Sequence, residues 1–201
     1  MISQGISHTA YDVMREYMII GAELDGKYQI PMLDRYTGHP GEDTVDFKDS
    51  FSPKIKNHRK LTVNFYIHDY EFEKIWNNPD RYLEHLKCFH SVIGPDFSMA
   101  VGENGMPFAM NIYQKYRNHA LSHYLSMNGI KIIPNVSIPP EHCYDWAFDG
   151  VPKRSTVACC TNGRIKSRAS REEFCIGFKE MERHIEPLRV IIVGKIPPGL
   201  N

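Results

Sequence analysis

From residue 61 onward two hydrophobic periods alternate along the chain. LTVNFYIH (61–68) is dense in β-branched and aromatic residues and predicts a strand. DYEFEKIWNNPDRYLEHLKCF (69–89) places apolar residues on one helical stripe, and Pro79 divides it into a broken helix pair. The cycle repeats with FSMAV (97–101) as a strand and residues 108–129 as a long helix, which Asn128-Gly129 stops. Then come a strand at 130–135, a short helix near 140–147, a strand at 155–160, a helix at 170–185 and a strand at 189–194. Ser170 and Glu173 have the spacing of a capping box at the start of that last helix. Upstream, residues 10–24 predict one helix, and 34–60 an irregular connection with one short strand at 44–47.

Strands alternating with helices build right-handed βαβ units and a parallel sheet. The expected fold is therefore α/β: a single domain of repeated βα units with a mainly parallel sheet. It is either doubly wound or, if YQIPML (28–33) and TVDF (44–47) join, a partial βα barrel. Residues 1–60 form an N-terminal helix and connection packed on the core, and 61–201 form the βα-repeat domain. In both architectures ligands gather on the loops that follow the C-terminal strand ends.

Composition changes this picture little. The 201 residues balance 24 Lys and Arg against 24 Asp and Glu, so no global charge recruits nucleic acid or membrane. No apolar run reaches the roughly 20 residues of a bilayer span, and the first residues lack a signal-peptide pattern. The five cysteines form no C-x-x-C pair, which reads as free thiols in a cytoplasmic protein. Charge is unevenly spread, however. Residues 151–201 carry ten Lys and Arg against five Glu, concentrated in TNGRIKSRASREE (161–173).

With these boundaries the ligand-bearing edge collects His68, Asp69, Glu103, Asn104, Asn135, Thr161, Asn162 and Lys195. His68, Asp69 and Asn135 are the candidate acid/base and orienting group. Thr161, Asn162, Arg164, Lys166 and Arg168 are the candidate ligand-binding group, because a basic loop leading into a helix N-terminus suits an anion. Pro95-Asp96 precedes the expected strand at 97–101, which assigns Asp96 to the opposite edge and a structural role. His119 and His123 have the i, i+4 spacing of a metal pair, yet they share a stripe with Lys115, Asn118 and Ser122. That stripe predicts a solvated face opposite the tyrosines, and no metal. Cys159 and Cys160 point to opposite sides of their strand. No phosphate-loop, dinucleotide or nucleophile-elbow signature is present, and no cofactor is specified.

The segments VNFYIHDYEFEKIWNNPDRYLEHLKCF, GPDFSM, MPFAMNIYQKYRNHALSHYLSMNGIKIIPNVS, DWAFDGVPKRSTVACCTNG and RVIIVGK follow in an order that resembles the domain-of-unknown-function family numbered 4417. The resemblance covers roughly residues 60–195 and implies a bacterial, phage or mobile-element protein of the cytoplasm. It implies no particular activity. The GENG turn at 102–105 departs from the pattern.

Together these features favour binding, and in a stronger form processing, of a phosphate-bearing ligand at the C-terminal strand edge. A nucleotide or nucleic-acid segment is the expected ligand. The rival is a non-catalytic phage or mobile-element protein that binds a host or viral protein through an exposed aromatic patch around Tyr66, Trp76 and Trp146.

Overall fold

The computed structural model describes residues 15–101 and 105–200. A short antiparallel hairpin, β1 (Leu24–Asp25) and β2 (Ile30–Pro31), comes first. Four strands then lie side by side and parallel: β3 (Asp43–Asp46), β4 (Leu61–Asn64), β5 (Ser91–Ile93) and β6 (Ile132–Ile133). A second parallel pair, β7 (Thr156–Cys160) and β8 (Arg189–Val193), joins them through a parallel bridge between Asn135 and Ala158. Spatial order thus follows chain order from β3 to β8.

Helices α1 (Asp69–Asn77), α2 (Asp80–Lys87), α3 (Phe108–Met127) and α4 (Arg168–Ile185) supply the crossovers. Val63, Val92 and Ile132 pack on α1, α2 and α3 through Phe72, Ile75, Leu86 and Leu121. Val157 and Cys159 pack on α4 through Phe174, Phe178 and Met181. The strand register puts all these strand residues on one face. The other face carries Ile93, Ile133, Ala158, Ile191 and Val193. Helices on one face with strands in sequential order make an open βα barrel rather than a doubly wound sheet.

The inner face is built in layers. At its N-terminal end Thr62 and Ser91 share a hydroxyl hydrogen bond of 2.8 Å. The segment after the hairpin closes this end. Thr156 donates its N–H to Tyr36 O at 2.6 Å, and Gly41 donates to Thr62 Oγ1 at 2.7 Å. The apolar layer above holds Ile93, Ile133 and Ala158, and the cleft opens at the C-terminal ends.

Several expected elements shift. The second strand is Ser91–Ile93, not 97–101. The backbone of Phe97 instead pairs with the side chain of Asn118. The strand expected at 130–135 is ordered as a ladder only at Ile132–Ile133. The helix expected near 140–147 is a single 3₁₀ turn at Glu141–Cys143 followed by turns. Helix α4 starts earlier, at Arg168, and Ser167 with Ser170 caps it in place of Ser170 with Glu173. Of the helix expected over 10–24, residues 10–14 lie outside the described residues, and the rest holds a 3₁₀ turn at Glu16–Ile19 and the first residue of β1. TVDF does join the sheet, through Asp43–Asp46, whereas the Ile30–Pro31 strand pairs only with its own hairpin.

Helix α3 departs most from its amphipathic reading. Tyr113 is exposed, while Asn111, Lys115, Asn118, His119, Ser122 and His123 are buried. The N-terminal segment lies across this polar face and supplies backbone partners. His119 Nδ1 donates to Pro31 O at 2.9 Å, and His123 Nε2 donates to Ile20 O at 3.3 Å. Lys115 donates to Ala147 O at 2.8 Å and lies 3.3 Å from His119 Nε2. Burial pushes the Lys115 ammonium down to about 7 against the pull of Asp149 and Asp25. Burial, then the Lys115 charge, holds His119 well below the usual imidazole range. The pair is thus a set of buried polar anchors, each with a partner, as buried polar groups require.

Candidate functional site

Five of the six parallel strand ends, those of β3 to β7, contribute to one cavity of about 540 Å³. Lys48 follows β3. Tyr66 and His68 follow β4, Asp96 and Ser98 follow β5, and Asn135 and Ser137 follow β6. Cys160 ends β7, and Asn162 and Arg164 lie just beyond it. Met99, Val101, Ile138 and Trp146 supply an apolar wall.

Asn135 organises the floor. Its Oδ1 accepts from the Tyr66 hydroxyl at 2.8 Å, and its Nδ2 donates to Asp96 Oδ1 at 2.8 Å and to Pro95 O at 3.1 Å. These partners fix the amide orientation. A flipped amide would set its oxygen against a carboxylate and a carbonyl. Burial pushes the Asp96 carboxyl up to about 6. The Asn135 hydrogen bond opposes that shift, nearby Asp69 reinforces it, and Arg164 and Ser137 oppose it more weakly. Burial, followed by the Asp96 charge, raises the Tyr66 hydroxyl well above its ordinary value, so it remains a donor.

Arg164 reaches the cavity and donates to Ile138 O. Its guanidinium has further N–H groups beyond the one spent on that carbonyl. At the rim Lys48 pairs with Glu71 at 2.7 Å, and Glu71 also accepts the His68 N–H at 3.2 Å. His68 is exposed at the start of α1, its ring stacked on Tyr70 with centroids 5.7 Å apart. The cavity therefore has Arg164 and a Glu71-paired Lys48, a partly buried acid and an apolar wall, a combination suited to an anionic ligand with an organic body.

The structure brings His68, Asn135, Asn162 and Arg164 together on this cavity. The other sequence candidates stand elsewhere. Asp69 accepts from Ser98 N and from Ser98 Oγ (2.7 Å), which pins the loop after β5 to α1. Thr161 is buried and ties β7 to β8 through Val193 O. Lys166 is exposed, and Arg168 pairs with Glu172 along α4 at 2.8 Å. Neither lines the cavity. Lys195 is likewise off its wall, and Glu103 and Asn104 lie outside the described residues.

Sequence reasoning placed Asp96 at the wrong edge, passed over Lys48, and took Tyr66 only as part of an exposed aromatic patch. The overlooked signal was SVIGPD (91–96). A β-branched pair followed by Gly-Pro marks a short strand and its end, which puts Asp96 at the C-terminal edge. Cys159 and Cys160 do face opposite ways, Cys159 into the α4 layer and Cys160 onto the cavity. Burial raises the Cys160 thiol, which keeps it protonated at neutral pH.

The architecture is that of an open βα barrel with a polar cleft at the C-terminal mouth of its strands. The chain belongs to the family described as Domain of unknown function (DUF4417), whose model matches residues 22–201. It is 31% identical over 134 residues to the Gene 1 protein of Mycobacterium phage L5, covering 67% of this chain and 57% of that protein. It is 28% identical over 134 residues to the Gene 1 protein of Mycobacterium phage D29, covering 67% of this chain and 48% of that one. The chain thus spans about half the length of these curated relatives. No solved structure matches it. No helix among the described residues is long and apolar enough to cross a membrane.

Proposed function

We propose that this chain binds a phosphate-bearing small molecule, of mononucleotide size, in the cleft at the C-terminal strand ends. One observation carries the reading: Lys48, His68, Asn162 and Arg164 come from the loops after three different strands, β3, β4 and β7, to line one cavity of about 540 Å³. That volume suits a nucleotide-sized ligand better than a duplex, since small-molecule pockets measure roughly 300–1,000 Å³. Arg164 and Lys48 hold the phosphate, and the Trp146, Met99 and Val101 wall receives the organic portion. His68 and Asn135 belong to the same reading as orienting groups. Processing of the ligand is its stronger form, in a cytoplasmic phage or bacterial setting.

The rival reading, a protein-binding module, drew on an aromatic patch. Trp76 and Trp146 are only 4% and 3% exposed, and Tyr66 is half-buried in the cleft, so these rings support it little. Titration of the protein with a fluorescent adenine nucleotide at two salt concentrations tests the proposal. Saturable binding that weakens with salt and is lost in Arg164→Glu is expected. No binding at the lower salt concentration would overturn it.

A further inference from the structure

Asp96 is an acid on the wall of a cavity that also holds Arg164, Lys48 and, paired with that lysine, Glu71. Asn135 Nδ2 donates to Oδ1 of its carboxyl group, Ser137 also hydrogen-bonds that group, and Tyr66 holds Asn135 in turn. Loops after three adjacent strands thus fix one carboxyl group on the cavity wall. Arg164 lies on the same wall and is close enough to bias the Asp96 proton. A tetrahedral oxyanion held by Arg164 therefore lies within electrostatic reach of Asp96. Two anionic oxygens in such a space repel unless a proton sits between them.

Resting on the phosphate-binding reading, we infer that Asp96 is a ligand-binding acid: it takes up a proton when an oxyanion occupies the cleft and donates it back to that anion as an O–H hydrogen bond. Asn135 and Tyr66 are positioning residues that aim the carboxyl group. The step is balanced, with one proton moving from solvent to the carboxylate and no bond to the ligand made or broken. The groups that bear on this proton come from every neighbouring loop. Asp69, at the start of α1, favours the protonated form, and Arg164 opposes it. The Tyr66 hydroxyl and the Cys160 thiol are both raised and stay neutral in the relevant range. Lys48 is held charged by Glu71, whose own carboxyl is held low by that lysine. The cavity lining also includes the His68 imidazole.

Inorganic sulfate is the probe, because it brings no proton of its own over this range. Calorimetry of the whole chain at pH 7, in two buffers of different ionisation enthalpy, reads the protons taken up per sulfate bound. Close to one proton is expected, with affinity falling about tenfold per pH unit above the resting value of Asp96. Asp96→Asn should bind sulfate with no uptake and little pH dependence, and His68→Gln, whatever its affinity, should retain the uptake per sulfate bound. Wild-type sulfate binding without proton uptake, or uptake lost in His68→Gln and kept in Asp96→Asn, overturns the inference while the cleft remains an anion site. Binding of inorganic phosphate without binding of sulfate at pH 5.5 overturns it as well. Failure of both anions to bind at any pH overturns the inference and the phosphate reading together.

Discussion

The side chain of Asn118 grips the backbone of Phe97 from both sides. Its Oδ1 accepts the Phe97 N–H at 2.7 Å, and its Nδ2 donates to Phe97 O at 3.2 Å. One amide thus replaces the ladder partner that a strand at 97–101 would have needed, and it holds the loop carrying Asp96 against α3. Asn118→Ala leaves a buried donor and acceptor without partners, which costs about 2–4 kcal/mol. Urea unfolding should show that loss. Asn118→Ala with wild-type stability would mean that water or another group takes over both hydrogen bonds.

Asp96 should limit stability where it serves binding. Its folded value is raised to about 6 from an ordinary 3.8. A raised value contributes stability that is complete below pH 3.8 and is lost as pH rises through about 6. At pH 7 the ionised carboxylate is therefore disfavoured by burial. Asp96→Asn should gain stability there by up to about 3 kcal/mol, and less as the pH is lowered towards 4. Chemical denaturation at pH 4, 5.5 and 7 measures that slope, and equal effects at all three would contradict the assignment.

His119 and His123 should matter to folding. Both donate to backbone carbonyls of the N-terminal segment, so the double alanine variant should lose roughly 2–5 kcal/mol. Tyr113→Ala, on the exposed side of α3, should change stability far less. The sign of the pH effect is also fixed. His119 is depressed below 6.5, so its contribution is complete above that pH and is lost as the pH falls. Melting curves between pH 8 and 5 should show His119→Gln flattening the acid side of the wild-type profile.

The basic loop should divide into two functional halves. Arg164 lines the cavity, whereas Lys166 and Arg168 point to solvent and Arg168 pairs with Glu172. Arg164→Glu should reduce affinity for a fluorescent adenine nucleotide at least tenfold. Lys166→Glu with Arg168→Glu should shift it only through long-range charge, an effect that salt screens. Equal losses in anisotropy titrations of the two variants would place the ligand on the outer loop instead.

The class of fold, most of the helices and the edge where polar loops meet were legible in the order of residues alone. These rest on local periodicity and on turn chemistry, which read out over a few residues at a time. His68, Asn135, Asn162 and Arg164 share a cavity because each follows a parallel strand, and that much follows from alternation alone. The rest depends on contacts between distant segments. The polar face of α3 looks like a solvent face until residues 20–31 cover it and supply carbonyls, a contact some 90 residues distant in the chain for His119. Asp96 changed edges because the second strand is only Ser91–Ile93, too short for β-propensity to outweigh the stronger-looking run at 97–101. Its raised acidity value comes from burial among loops of three separate strands. No local pattern encodes that burial, because desolvation depends on what the whole chain packs around a group.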